Sequence, residues 1–139
     1  LLYSTEFCEL AKQRLKPGGI LQAWVPGNGI ATAPAVLRSV TETFPHVRCF
    51  RSLEGGGWHI LASMQPIEPQ TVAGLEARLP ARAKKDLLEW SASQDLTADL
   101  QQMLSNEMSV PELLNPNPLI RITDDRPYNE YFLVRDFLR

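Results

Sequence analysis

The turn Lys16-Pro17-Gly18-Gly19 constrains this chain of 139 residues more than any other feature. Proline lacks an N–H and clashes with a preceding helical turn, while paired glycines permit a reversal that other residues resist. The residues on either side follow different periods. Before the turn, Phe7, Leu10, Ala11 and Leu15 recur at helical spacing. Ser4 stands at the N-cap, Glu6 lies in the first turn, and Lys12, Arg14 and Lys16 crowd the C-terminal end, all suited to the helix dipole. After the turn, residues 20–25 form a nearly continuous apolar run, the pattern of a strand covered on both faces. A helix feeding directly into such a strand is half of a βαβ crossover. The strand before the helix is expected upstream, so the chain reads as a piece of something longer.

A second half-crossover comes next. Gly27-Asn28-Gly29 is a loop at the carboxyl end of the first strand, where open α/β sheets bind their ligands. The spacing of Val36, Leu37, Val40 and Phe44 predicts a helix over 34–44, with Pro34 in its first turn and Pro45 closing it. Residues 46–52 and 58–63 read as strands joined by the turn Glu54-Gly55-Gly56-Gly57, which forces them antiparallel.

From residue 66 the texture becomes helical. Val72, Leu75 and Leu79 align over 70–79; Ala83, Leu87, Leu88 and Trp90 over 81–91, with Lys84 and Lys85 outside; Leu96, Leu100, Met103 and Leu104 over 95–105. Residues 110–114 predict one further turn of helix, and Asn115-Pro116-Asn117-Pro118 a rigid linker. Thr123 or Asp124 is expected to cap a last helix from 126 or 127 to 138. The reading is thus one domain: a partial Rossmann-like α/β unit over 1–65 and a helical extension over 66–139.

Two segments resemble a known family. Residues 2–26, LYSTEFCELAKQRLKPGGILQAWVP, resemble the L-Y-S/T-x-E-F-Y-x-L and L-K-P-G-G-I-x-x-Q-W-x-P stretch of spermidine synthase-like proteins. Residues 122–132, ITDDRPYNEYF, are similar to the T-D-D-x-P-x-x-E-(Y/F) tail of bacterial members, some of them fused to membrane-spanning domains. The resemblance implies the C-terminal half of a class I methyltransferase-type Rossmann sheet, one parallel strand plus an antiparallel edge hairpin, with flanking helices and a helical appendage. It implies aminopropyl transfer from decarboxylated S-adenosylmethionine to an amine, or a related methyl transfer from S-adenosylmethionine. The family takes its cofactor on a glycine-rich loop after the first strand and its general base from an aspartate ending the fourth. Neither is found here, so no cofactor site and no catalytic residue is assigned, and the chain alone is expected to be inactive.

The same resemblance places residues 24–28 at the mouth of the active site. Trp24, Gly27 and Asn28 are therefore candidates for substrate contact, and Asp124 and Asp125 are candidates near the amine. Aminopropyltransferases have a glutamine about where Trp24 stands and a tyrosine about where Leu53 stands; here Gln22 lies two positions early and the tyrosine is absent. Trp24 and Trp58 also suit plain sheet packing, and Asp124 and Asp125 suit helix capping or pairing with Arg126.

Composition excludes several other classes. A net charge of −2 gives no electrostatic reason for nucleic acid or an anionic membrane as partner. No apolar run reaches the roughly 18–20 residues of a membrane span. Cys8 and Cys49 are too few for a disulfide framework and read as buried, reduced thiols of a cytoplasmic protein, tethered to a membrane domain if it matches the fused members of the family. His46 and His59 have no ligand-spaced neighbours, so no metal site is expected. Ser39, Ser52 and Ser63 lack a nucleophile-elbow context. A second class survives beside the transferase: a non-catalytic half-Rossmann module whose exposed sheet edge pairs with another copy, making a homo-oligomer such as a dimer.

Overall fold

A computed structural model describes residues 1–26, 32–53, 55–114 and 120–127. The helix α1 spans Thr5–Arg14, and Ser4 caps it by accepting from the Phe7 N–H at 3.0 Å. Its inward row runs through the buried Ser4 and Cys8 and the half-buried Ala11 and Leu15 rather than through Leu10, which stays 61% exposed. The i, i+4, i+7 row centred on Cys8 is what meets the next helix, and Leu10 lies off that row. Gly18, at φ +72°, and Gly19, whose N–H donates to the Lys16 carbonyl at 2.8 Å, make the reversal. A side chain on Gly19 would meet that carbonyl at 2.9 Å.

β1 (Leu21–Pro26) leads to α2 (Thr32–Thr43), then to the hairpin β2 (His46–Arg51) and β3 (Gly57–Ser63). Next come α3 (Val72–Arg78), α4 (Ala81–Trp90) and α5 (Leu96–Ser105), capped for α3 and α5 by Thr71 and Asp95. A two-residue strand, β4 (Glu107–Met108), and α6 (Val110–Leu114) complete the described elements. The sheet order is β1-β3-β2-β4 and every neighbouring pair is antiparallel. The chain is therefore a mixed α/β protein with an antiparallel four-stranded sheet among its described residues. The expected parallel neighbour of β1 is not among them. β3 folds back between β1 and β2, so those two strands run in the same direction without touching.

One sheet face builds the core. Ala23, Val25, Cys49, Ile60 and Ala62 point to it, and Val36, Leu37 and Val40 of α2, with Phe44 just beyond its end, close over them together with Cys8. Burial holds both thiols up at about 11. The apolar run implies cover on both faces of β1; instead its burial alternates, leaving Ile20 and Trp24 about half exposed. Gln22 interrupts the apolar run, and α1 and α2 both lie on one side.

Two further expectations change. On α4, Leu87 is 48% and Trp90 86% exposed, because the helix rests on α5 with a narrower stripe than its four apolar residues allow. The predicted start of the last helix at Arg126 is a two-residue bridge instead, Thr123 with Arg126, whose N–H donates to the Thr123 carbonyl at 2.9 Å. The remainder of that helix, like the loop Gly27-Asn28-Gly29 and the linker 115–118, lies outside the described residues.

The two segments that carry the family resemblance meet. Ile122 is fully buried, and its carbonyl accepts from the Thr5 N–H at 3.0 Å and from the Ser39 hydroxyl at 3.3 Å. Arg121 pairs with Glu42 at 3.0 Å. The Ser4 hydroxyl donates to Asp124 at 2.7 Å, and the Asp124 N–H donates to Glu6 at 3.1 Å.

Candidate functional site

Strand alternation sends Gln22, Trp24, Arg48, Phe50, His59 and Leu61 to the sheet face opposite the core. They floor an open groove of about 910 Å³. Leu75 of α3 and Met103 and Leu104 of α5 wall it on one side, and the turn residues Leu53 and Gly56 rim it on another.

The hairpin register sets the floor. Trp24, His59 and Phe50 stand abreast across three strands, with Gln22, Leu61 and Arg48 in the next row. Diagonal neighbours on one face are close enough for long side chains to touch. A chain of polar contacts results. The Gln22 side-chain amide lies 3.2 Å from His59 Nδ1, and His59 Nε2 lies 3.1 Å from Ser52 Oγ. The Trp24 indole N–H donates to the same Ser52 Oγ at 3.4 Å.

Trp24 is held from both ends. Its carbonyl accepts from the Tyr3 hydroxyl at 2.6 Å. Its indole lies over Gly57, where an added Cβ would come within 2.7 Å of Nε1 and 2.6 Å of the Val25 carbonyl. The glycine is required there for close approach, not for its φ.

At the far side of the floor, Arg48 grips Glu107 of β4 with two bonds of 2.7 Å and lies 5.1 Å over the Phe50 ring. The hydrogen bonds to Glu107 raise the Arg48 pKa, and those to Arg48 lower that of Glu107. This two-point clasp is why so short a strand as β4 is retained.

Trp24 thus sits in the groove, and Gly27 and Asn28 lie outside the described residues. Asp124 and Asp125 are placed away from it, at the start of α1. Hydrogen bonds from the Leu1 amine and the Ser4 hydroxyl lower the Asp124 pKa, and one from the Thr123 hydroxyl at 2.6 Å lowers that of Asp125. Ser52 and His59 escape a reading that looks for partners nearby along the chain. The usable signal is the hairpin register: counting back from the glycine turn pairs Phe50 with His59 and so puts Ser52 diagonal to His59 on the same face.

Two of the glycine clusters are committed to turns. Gly19 closes onto Lys16, and Ser52 and Gly57 close the hairpin through an N–H···O bond of 2.9 Å. Among the described residues no group of three or more His, Cys, Asp or Glu converges as metal ligands would, and no helix is long and apolar enough to cross a membrane. No protein-family model matches the chain, and no curated protein matches its sequence.

Proposed function

We propose that this chain is the C-terminal portion of a spermidine synthase-like transferase, supplying the acceptor side of a site that moves an aminopropyl group from decarboxylated S-adenosylmethionine to an amine. One observation carries the reading. Trp24, a candidate for substrate contact, and Leu53, which stands about where aminopropyltransferases have a tyrosine, are far apart in the sequence and line one groove. Two other features support it. The two resembling segments pack on each other through Ser4, Asp124, Thr5 and Ile122. The return of β3 between two like-directed strands fits the edge hairpin with which methyltransferase-type sheets finish.

The cofactor loop and the general base are assigned to preceding sequence, so this chain alone is inactive. The test is to express the chain with the coding sequence that precedes it and assay both adenosyl donors against a panel of amines. Trp24→Ala should then weaken amine use more than donor binding. Transfer from S-adenosylmethionine alone would move the reading to a methyltransferase, and tight binding of methylthioadenosine by the present chain would contradict it.

A second reading has its own observation. β1 has a described neighbour on one side only, β3, which leaves an edge able to pair with another strand. A non-catalytic module that assembles through β1 would form dimers by light scattering, and a monomer at high concentration would exclude it.

A further inference from the structure

One hydrogen bond in the hairpin fixes which backbone groups the sheet leaves open. In antiparallel strands, opposed residues alternate between pairs that exchange N–H···O bonds and pairs that do not. The Ser52 N–H donates to the Gly57 carbonyl at 2.9 Å, so Phe50 with His59 and Arg48 with Leu61 are bonded pairs as well. The backbone groups of Trp58, Ile60 and Ala62 therefore face β1, where they meet Val25, Ala23 and Leu21. Gln22 and Trp24 lie between these and turn their N–H and C=O groups to the free edge of β1.

All but one of those edge groups lack a partner among the described residues. The exception is the Trp24 carbonyl, which accepts from the Tyr3 hydroxyl at 2.6 Å. Tyr3 stands at φ +71°, a backbone region that a bulky residue rarely enters and keeps only where its surroundings hold it. Its ring packs beside the core while its hydroxyl covers the strand edge. Pro26 ends the open stretch, since it has no N–H to offer there.

The open groups are self-complementary. A two-fold axis through Ala23 sets Gln22 of each copy opposite Trp24 of the other, so every edge N–H meets an edge C=O. Ala23 then faces its own counterpart in a non-bonded pair, where the Cα atoms come closest and a small side chain suits the approach. On the groove face the half-exposed Trp24 indole lies beside Gln22 of the second copy. An unpaired edge is a template for another strand, and two-fold pairs are the commonest association of identical chains.

We propose that β1 pairs antiparallel with β1 of a second copy, centred on Ala23, and that the Tyr3 hydroxyl guards this edge by occupying the Trp24 carbonyl that the pairing needs. The inference rests on the assembly reading above and deepens it by naming the partner strand, its register and the residue that opposes it. The guard sets the strength of association, because its bond must break before the strands can join.

The test compares the present chain with Tyr3→Phe, which keeps the ring and removes only the hydroxyl. Sedimentation equilibrium gives the dimer dissociation constant, and NMR follows amide hydrogen exchange as concentration rises. Tyr3→Phe should tighten the dimer by about fivefold, the size of one net hydrogen bond. Exchange at the Gln22 and Trp24 amides should slow with concentration in both chains, while that at Ala23 and Val25, already bonded to β3, should not change. Protection of Gln22 and Trp24 with no tightening by Tyr3→Phe would overturn the guard and leave assembly through β1 standing. A dimer that protects neither amide would overturn the pairing and place the contact on another surface. Monomers of both chains at the highest concentration reached would overturn the inference and the assembly reading together. The donor assay with the preceding sequence decides the transferase reading separately.

Discussion

The two faces of the sheet are made by the same three strands under opposite demands. Toward α2, Ala23, Val25, Cys49, Ile60 and Ala62 are small or branched and buried, and the facing side chains Val36 and Leu37 have essentially no exposed surface. Toward the groove, alternate residues are large, polar or aromatic, and they reach one another by hydrogen bonds rather than by filling space. The first face answers to volume, the second to register. A residue can thus be nearly free to change on one side of a strand and essential on the other.

That contrast can be broken from the core side first. Leu37→Ala should cost about 2–5 kcal/mol in urea unfolding, because a fully buried leucine leaves a cavity. A loss below about 1 kcal/mol would mean that the core face collapses as easily as the groove face does.

Gly57→Ala should cost about 1–3 kcal/mol by forcing an overpacked contact, and should also displace the Trp24 indole. The change in tryptophan emission should vanish in a Trp24→Ala background; its persistence there would show that the strand, not the indole, moved.

Arg48→Ala removes the clasp on β4 but acts at a partly exposed pair, so about 0.5–1 kcal/mol is expected from thermal melting. The pH dependence has a definite sign. Glu107 titrates lower in the folded chain than in the unfolded one, so its contribution is present above its ordinary value of 4.5 and fades as pH falls through the lower folded value. The wild-type advantage over Arg48→Ala should shrink on acidification, and an advantage independent of pH would rule out the ion pair as its source. The cysteines carry the opposite sign. Their pKa values rise from 9.0 to about 11 on folding, so the stability they contribute is intact below 9.0 and is lost as pH climbs toward 11. At neutral pH neither thiol should react with an aromatic disulfide reagent until the chain unfolds.

The smallest effect belongs to the groove floor. His59→Ala should change stability by about 0.5 kcal/mol or less, as for other partly exposed polar positions. A larger loss would mean that the polar chain is structural after all.

Local signals were legible where the chain talks to its near neighbours. The Lys16-Pro17-Gly18-Gly19 turn, the Ser4 cap and the glycine-turned hairpin all act within a few residues, and each stands where its chemistry requires. Burial of Cys8 and Cys49 accords with their apolar settings. The features that the sequence concealed depend on partners far away. β4 exists because Glu107 answers Arg48, 59 residues earlier. Asp124 acts at α1, 120 residues away, rather than within its own segment. The floor of the groove needed the register of β1, β3 and β2 before Gln22, Ser52 and His59 could be seen as one group.

The clasp between the start of α1 and Ile122 bears on the order of folding. It closes a span of 117 residues, so a ribosome must extend the chain past residue 122 before Thr5 finds its acceptor. Closing so long a loop is entropically disfavoured until other contacts have shortened it. Most of the sheet and α2 lie between those points and can assemble first. α1 is thus among the last of the described elements to settle, and a synthesis halted before residue 122 leaves it with its first backbone donor unanswered.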